Sequence, residues 1–305
     1  MTPDEFTNRE FFLDVGDGHQ LYVQDWGTPK AKLPIVYLHG GPGNGVDGRD
    51  KKDFDPKAQR VIFHDQRGSG KSLPAGSLEH NTSQKLVEDI EKIAQELKLD
   101  RFVLVGGSWG SALALFYGIA HPKRVAGMVI NGVFTAAQSE IDWLENGSWR
   151  PFFPEVWEEF ADSVPKAHRD NPSAYHRQQI QSDDAETLKR SAYAYQTMEA
   201  AVLKLDDKYG AGPYDTYDPT QALIEMHYIN HHCFVEDGYV LKHASSLTMP
   251  IKLIAGRYDM VTPPEAAYRL HQHLPDSQLV WTINGHLRQH EAKNLQKILI
   301  KQLGA

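Results

Sequence analysis

Short apolar runs alternate with longer helical patterns in the first part of the chain. Four of these runs, at residues 34–38, 60–63, 102–105 and 126–130, are rich in Val and Ile and are continuously apolar rather than alternating. Continuous apolarity is typical of strands that are covered on both faces, as in a parallel sheet. We therefore predict four buried strands in this part of the sequence.

Two helices are predicted between and after these strands. Apolar side chains recur at helical spacing from Leu86 to Leu97, and the polar residues 81–83 supply candidate caps for the helix N-terminus. A more apolar helix covers residues 112–120 and ends before Pro122. Because strands that alternate with helices form right-handed βαβ units, the pattern predicts an α/β fold with a mostly parallel sheet.

The pattern changes between residues 135 and 245, where Trp, Tyr, Glu, Gln and His become frequent and the periodicity is helical. The clearest helical segments there are 192–205 and 221–232. Two more strands and a last helix are predicted at 251–255, 279–283 and 291–302. The simplest arrangement is an α/β core of residues 1–134 and 246–305, interrupted by a helical cap at residues 135–245.

Composition and charge exclude several classes of partner. The formal charge of the 305 residues is -8, which argues against a nucleic-acid binder and against docking on an anionic membrane. A single cysteine, Cys233, allows no internal disulfide. Residues 1–10 are polar and acidic, unlike a signal peptide, and glycines interrupt the uncharged stretch 102–120, unlike a membrane span. We expect a soluble, cytoplasmic protein.

The stretch Gly106-Gly107-Ser108-Trp109-Gly110 fits the G-x-S-x-G pattern of a nucleophile elbow. It stands between a predicted strand and a predicted helix, which is the context that this turn requires. Gly106 and Gly110 provide the small neighbours of a tight turn, and the helix N-terminus favours negative charge that develops nearby. Ser108 is therefore the candidate nucleophile; an incidental serine in a glycine turn is the alternative.

A serine hydroxyl needs a base, and the base needs an acid that orients it. On this architecture the order along the chain is serine, acid, histidine. Asp259 follows the strand predicted to end at residue 255, and His286 follows the strand predicted to end at residue 283. Both residues fall in loops at the carboxyl ends of strands, on the same edge of the sheet as Ser108. We predict a triad of Ser108, Asp259 and His286.

An oxyanion hole needs backbone N–H groups that point at the developing charge. One should come from Trp109, the residue after the nucleophile. The second should come from the glycine-rich loop 39–43, which directly follows a predicted strand. We assign Gly41, with Gly40 as the alternative; Pro42 has no N–H to donate.

Several motifs together resemble the proline iminopeptidases of the α/β-hydrolase superfamily. They are the loop HGGPG at 39–43, the stretch DQRGSGKS at 65–72 and the elbow GGSWGS at 106–111, with further matches at 18–23 and 256–259. The resemblance covers nearly the whole of the predicted core. It implies the α/β-hydrolase fold, a mostly parallel central sheet flanked by helices with an inserted helical cap, and release of N-terminal proline from short peptides without a cofactor.

The resemblance also implies an amine-binding site. An enzyme that recognises a free N-terminal amine is expected to pair it with buried carboxylates, and this family takes two glutamates from its cap. Glu199 and Glu225 match these positions, and Phe134 matches an aromatic residue that packs on the proline ring. The alternatives are that both glutamates face solvent and that Phe134 is ordinary core.

The chain departs from the family pattern in and beside the cap. Asn131 stands where the family usually has an arginine, Met198 where it has a tryptophan, and Leu287 where serine is common. The segment 143–147 is a loose version of an aromatic stretch in the family. These departures leave the triad unchanged and concern strict specificity for proline: release of other small N-terminal residues, or a broader aminopeptidase, amidase or esterase preference, is the alternative.

Two rival functions follow from the same motifs. The first is a hydrolase of the same fold that acts on esters, lactones or amides without needing a free amine. The second is a ligand receptor that keeps the triad but turns over slowly. His227, His231 and His232 have helical spacing, but no carboxylate or cysteine partner lies nearby in the sequence, so we predict no metal.

Overall fold

The computed structural model describes residues 5–205, 210–287 and 290–305. The start of the polar N-terminal segment and residues 206–209 of the predicted cap lie outside the described residues. Among the described residues, eight strands form one sheet in the order β1-β2-β4-β3-β5-β6-β7-β8. The strands are β1 Thr7–Gly16, β2 His19–Gly27, β3 Ile35–Leu38, β4 Arg60–His64, β5 Phe102–Ser108, β6 Val125–Val133, β7 Ile251–Gly256 and β8 Ser277–Thr282.

The six strands from β3 to β8 run parallel to one another, whereas β2 is antiparallel to both β1 and β4. The helices are α1 Ser83–Glu96, α2 Trp109–Ala120, α3 Gln138–Glu145, α4 Pro154–Asp162, α5 Pro172–Gln179, α6 Ala185–Val202, α7 Thr220–Asn230, α8 Tyr239–His243, α9 Pro264–His273 and α10 His290–Gln302. Short 3₁₀ turns join several of them. The α/β fold with a mostly parallel sheet is thereby confirmed.

Side chains of the central strands point alternately to the two faces of the sheet, and each face has its own apolar cluster. On β5, Phe102 and Leu104 pack in the cluster with α1, α2 and α9, while Val103 and Val105 pack in the cluster with α10. Both faces of β5 are therefore covered. This explains why the predicted strands are continuously apolar rather than alternating.

The sequence patterns locate most elements correctly but miss β1 and β2. In β2, polar residues interrupt the apolar run, and Asp25 is buried even though it is charged. Arg60 on the neighbouring strand compensates it with two hydrogen bonds, from Nε to Oδ1 at 3.1 Å and from a terminal nitrogen to Oδ2 at 2.8 Å. A cross-strand partner of this kind is invisible in the local pattern.

Between β6 and β7 the described residues contain helices and 3₁₀ turns but no strand. α6 begins at Ala185, seven residues before the predicted start at residue 192, because the side chain of Asp184 caps it by accepting a hydrogen bond from the backbone N–H of Thr187. An apolar cluster around Trp149 and Tyr195 joins these helices and includes Met260 from the loop after β7. Among the residues described, no helix combines the length and apolarity that crossing a membrane requires.

Candidate active site

Ser108 lies at a sharp turn between β5 and α2, with a φ of 56° and a ψ of -129°. Few non-glycine residues adopt a positive φ, and such strained positions cluster at functional sites. The turn is crowded: a methyl group on Gly110 would lie 2.1 Å from the carbonyl oxygen of Leu38, and one on Gly106 would lie 2.5 Å from the carbonyl oxygen of Gly110. Only glycine fits at these two positions beside the serine.

Asp259 and His286 form a hydrogen-bonded pair. Nδ1 of His286 lies 2.9 Å from Oδ2 and 3.0 Å from Oδ1 of Asp259, and both residues are nearly or fully buried. The carboxylate also accepts hydrogen bonds from the backbone N–H groups of Val261 and Thr262 and from the Thr262 hydroxyl, at 2.9–3.0 Å. These donors fix the carboxylate, so it can hold the imidazole in one orientation with Nε2 free of the pair.

The surroundings of His286 stabilise its protonated form. Burial by itself lowers the pKa of the imidazole, but the charge and the hydrogen bond of Asp259 outweigh burial and raise the pKa above its ordinary value. The charge of Glu199 acts in the same direction. The predicted base is therefore coupled electrostatically to a predicted amine-binding glutamate.

The ring of His286 and the backbone of Ser108 meet at Gly132. A methyl group on Gly132 would lie 2.9 Å from Cε1 of His286 and 3.5 Å from the backbone nitrogen of Ser108. Gly132 has a φ of 50° and lies in β6, between Asn131, which pairs with Gly107 of β5, and Val133, which pairs with Ser108. Gly132 of β6 thus lies between the nucleophile turn at the end of β5 and the loop after β8 that carries His286.

A hydrogen-bond network joins the loop after β3 to the nucleophile turn. The backbone N–H of Gln66 donates to Nε2 of His39, so this neutral, buried imidazole carries its proton on Nδ1 and donates it to the carbonyl of Gly40. The Gln66 side chain donates to the carbonyl of His39 and accepts from the indole N–H of Trp109 at 2.8 Å. Gln66 therefore links the two loops that we predict to supply the oxyanion hole.

The predicted oxyanion residues lie around the serine. Gly41 and Trp109 line the same cavity as Ser108. Gly40 packs beside the serine, since a methyl group on it would lie 3.4 Å from Cβ of Ser108. The choice between Gly41 and Gly40 as the second donor stays a prediction.

A narrow cavity of about 60 Å³ opens beside Ser108. Its apolar wall includes Phe134, Ile141, Leu144, Tyr228, Ile229 and Val261. In the part of the chain that the structure describes, its acidic lining consists of Glu140, Glu145, Glu199 and Glu225.

Glu199 and Glu225, which the resemblance names as the amine site, both line this cavity and lie within hydrogen-bonding reach of each other. Burial raises the pKa of both carboxyl groups, and for Glu225 the charges of Glu199 and Glu145 raise it further, well above its ordinary value. The two groups therefore favour a state in which they share one proton. The alternative of solvent-facing glutamates is wrong for Glu225, which is only 4% exposed.

Phe134 lies where β6 ends and lines the cavity while it also packs on the core. Its backbone N–H donates to the hydroxyl of Ser111, which in turn donates to the carbonyl of Ser108 at 2.6 Å. The two sequence interpretations of Phe134, cavity wall and core residue, are compatible. Its predicted stacking on a substrate ring stays a prediction.

Three of the residues that depart from the family pattern, Asn131, Met198 and Leu287, are not part of the cavity lining, whereas Leu144 and Glu145 of the divergent segment 143–147 are. Asn131 is buried behind the nucleophile turn, where its amide donates to the carbonyl of Gly106. Met198 belongs to the apolar cluster of the inserted helices. Leu287 is 37% exposed, and its backbone N–H donates to the carbonyl of Leu203.

The three histidines with helical spacing have separate partners. His227 contacts the carbonyl of Asn81, His231 the carbonyl of His227, and His232 the side chain of Gln138. Within the described ranges, no group of three or more His, Cys, Asp or Glu residues is arranged to hold a metal ion.

Some residues of the site carry no recognisable sequence signal. Thr262 donates to Asp259 and lies 3.2 Å from Nδ1 of His286, but a threonine three residues after an aspartate is common in loops. Glu145 is a buried lining residue at the end of α3, which also carries the cavity-lining Glu140 and the exposed Asp142. Only the packing of distant elements brings these side chains to the cavity.

Comparison with known proteins identifies the class first. A family model described as the alpha/beta hydrolase fold matches residues 34–291, so the chain belongs to the α/β hydrolases. A solved epoxide hydrolase from metagenomes of hot environments has a TM-score of 0.64 at 20% identity and covers 97% of this chain and 98% of its own. At that identity the likeness shows the fold alone.

More similar sequences identify the family. The proline iminopeptidase of Arabidopsis thaliana is 37% identical over 274 residues, which cover 88% of this chain and 72% of that protein. A probable proline iminopeptidase of Leptolyngbya boryana is 38% identical over 279 residues, with 88% and 85% covered. The chain belongs to the proline iminopeptidase family.

The contact between Gly132 and His286 leads to a test of the site geometry. We expect Gly132→Ala to lower hydrolysis of a phenyl ester by at least about tenfold, because its methyl group displaces the imidazole, and misplacement by an ångström can cost a hundredfold in rate. The matched control is Gly18→Ala. Gly18 also has a positive φ, of 78°, but a methyl group there meets nothing within 4 Å. Equal activity of the two variants would contradict this geometry.

Proposed function

We propose that the chain is a prolyl aminopeptidase, a serine peptidase that releases N-terminal proline from short peptides. One observation carries the proposal: two adjacent carboxyl groups, the buried Glu225 and the half-buried Glu199, line the same cavity as Ser108. A cationic amine is the natural partner of such a pair, since an unpaired buried carboxylate is costly. The names of the relatives support the same activity.

Amine binding by this pair keeps the charge balanced. When Glu199 and Glu225 share one proton, the pair has one negative charge and matches the single positive charge of an N-terminal ammonium group. The N–H groups of the ammonium donate to the carboxyl oxygens and hold the first residue in the cavity. Its carbonyl then lies near Ser108, and the rest of the peptide extends out of the site. A blocked N-terminus offers neither the charge nor the donors.

The covalent steps use the predicted triad. Nε2 of His286 takes the proton of the Ser108 hydroxyl as Oγ attacks the carbonyl carbon of the first residue. The N–H groups of Trp109 and Gly41 stabilise the oxyanion. The C–N bond breaks as His286 gives its proton to the leaving amine, which leaves an ester on Ser108. Water then attacks this ester with His286 as base, and the free amino acid and the hydroxyl of Ser108 are restored.

The inserted helices have a defined part in this proposal. We assign residues 1–134 and 246–305 to the hydrolase core and residues 135–245 to a cap that closes the amine end of the cavity. Support comes from the origin of the groups: the core contributes Ser108, while α6 and α7 contribute the two glutamates. The cytoplasmic location stays a prediction from the sequence.

The amine-binding role is tested by substrates that differ only in their N-terminus. We expect cleavage of a proline arylamide and none of its N-acetyl counterpart. Glu199→Gln and Glu225→Gln should each lower kcat/KM for the free-amine substrate by roughly 30-fold or more, because a buried charge loses its partner. Hydrolysis of a phenyl ester should change much less. Equal losses on amide and ester would overturn the amine site.

The nucleophile is tested by removing its oxygen. Ser108→Ala should lower turnover of both arylamide and ester by several orders of magnitude, with unchanged thermal unfolding, because the acyl-enzyme can no longer form. Ser139→Ala, at an exposed position of α3, is the control and should keep normal turnover. Near-normal turnover by the Ser108 variant would remove this residue from the mechanism.

The pH dependence tests the coupling between Glu199 and His286. As a base, His286 must be neutral, so activity is lost as the pH falls through its pKa. Because the pKa of His286 is raised, we expect the acidic limb of kcat/KM for a phenyl ester to lie above pH 6.5, the ordinary value. Glu199→Gln removes a negative charge and should move this limb to lower pH. The exposed Glu186→Gln should leave it unchanged, and an unshifted limb in the Glu199 variant would contradict the coupling.

A further inference from the structure

A third carboxylate in the cavity has no part in the mechanism described above. Glu145 is the last residue of α3, is 5% exposed, and lines the cavity together with Glu199 of α6 and Glu225 of α7. Three helices thus each contribute one carboxyl group to the same small space. Glu140 also lines it, but both of its oxygens accept hydrogen bonds from Thr135.

Glu145 is held so that one oxygen is left for a ligand. Its Oε1 accepts a hydrogen bond of 2.5 Å from the hydroxyl of Tyr195, which lies one turn before Glu199 on the same face of α6. Its Oε2 is buried, and no donor of the described residues forms a hydrogen bond with it. Oε2 of Glu225 is in the same condition. Few buried carboxylate oxygens lack a donor in folded proteins, and where one does, a ligand, an ion or an ordered water can supply it.

The only cation paired with Glu145 among the described residues is Arg177 on α5. Its Nε lies 3.2 Å from Oε2 of Glu145, and its side chain is 31% exposed. Arg177 therefore offsets the charge of Glu145 from the solvent side without directing an N–H at the oxygen. Burial raises the pKa of Glu145, while the Tyr195 hydroxyl and Arg177 favour its charged form. Its charge in turn raises the pKa of both Glu199 and Glu225, as expected for a close neighbour.

The number of donors on the substrate amine distinguishes two classes of N-terminal residue. The secondary ammonium of an N-terminal proline has two N–H groups, which Glu199 and Glu225 can accept. The primary ammonium of any other N-terminal residue has three, like the ammonium group of lysine. A third N–H inside a buried cavity needs a third acceptor, because an unsatisfied polar group there is costly.

We infer that Glu145 is this third acceptor and is a specificity-determining residue, which allows the enzyme to bind and release small N-terminal residues with a primary amine, such as alanine, as well as proline. The cavity of about 60 Å³ favours a small side chain over a large one. This inference rests on the proposed function, because it assigns a further contact to the same amine site.

Binding to an inactive enzyme tests the inference apart from catalysis. In the Ser108→Ala background, calorimetry would measure the binding affinity of three amides: L-alaninamide, N-methyl-L-alaninamide and L-prolinamide. Their ammonium groups have three, two and two N–H donors, respectively. Adding Glu145→Gln should weaken the binding of L-alaninamide by roughly tenfold to a hundredfold, which is the range expected for the loss of a hydrogen bond between charged groups. Binding of the other two ligands should weaken by less than about threefold. Glu186→Gln, on an exposed part of α6, should change none of the three.

Turnover gives the second measurement. Glu145→Gln in the active enzyme should lower kcat/KM for an alanine arylamide at least about tenfold relative to a proline arylamide. Equal losses on both substrates, or no loss on either, would overturn the role of Glu145. If the glutamine variant does not fold, Glu145→Asp keeps the charge and withdraws the carboxylate by one methylene group, and it should show the same selective loss. Failure of all three amides to bind would instead refute the amine site itself.

Discussion

The close approach of backbone segments at Ser108 is the constraint on which the rest of the site depends. The carbonyl oxygen of Leu38 leaves no room for a side chain on Gly110, so the loop after β3 lies directly against the start of α2. Gln66 then ties this loop to the indole of Trp109. Because the segments are held by backbone contact and by buried hydrogen bonds, the groups around the serine are preorganised before a substrate arrives.

The acidic lining of the cavity differs from the surroundings of the serine in how it is stabilised. Glu145, Glu199 and Glu225 are brought together where burial disfavours their charges, and the helices that carry them are stabilised by apolar packing around Trp149 and Tyr195. Burial raises the pKa of each of these carboxyl groups, so the cluster disfavours full ionisation of all three. The charge of Glu199 also raises the pKa of His286, so this cluster and the predicted base share one electrostatic environment.

Much of the fold could be predicted from local patterns because its central strands are buried on both faces and therefore read as continuous apolar runs. The patterns failed at β2, where the buried charge of Asp25 is compensated by two hydrogen bonds from Arg60 on the neighbouring strand. They also placed the start of α6 too late, because the cap of that helix is a single aspartate outside the apolar repeat. In each case the missing information was a partner or a cap rather than a periodicity.

The sequence by itself determined the chain order of Ser108, Asp259 and His286, the predicted nucleophile, acid and base, and the edge of the sheet where they lie, because the carboxyl ends of parallel strands lie together in any fold of this class. It also contained the motifs that identify the family. Only the tertiary structure decided which glutamates share a cavity with Ser108 and how each is compensated. The reason is physical: burial, charge and donor geometry at that cavity come from α3, α6 and α7, whose mutual packing is not encoded in any local pattern.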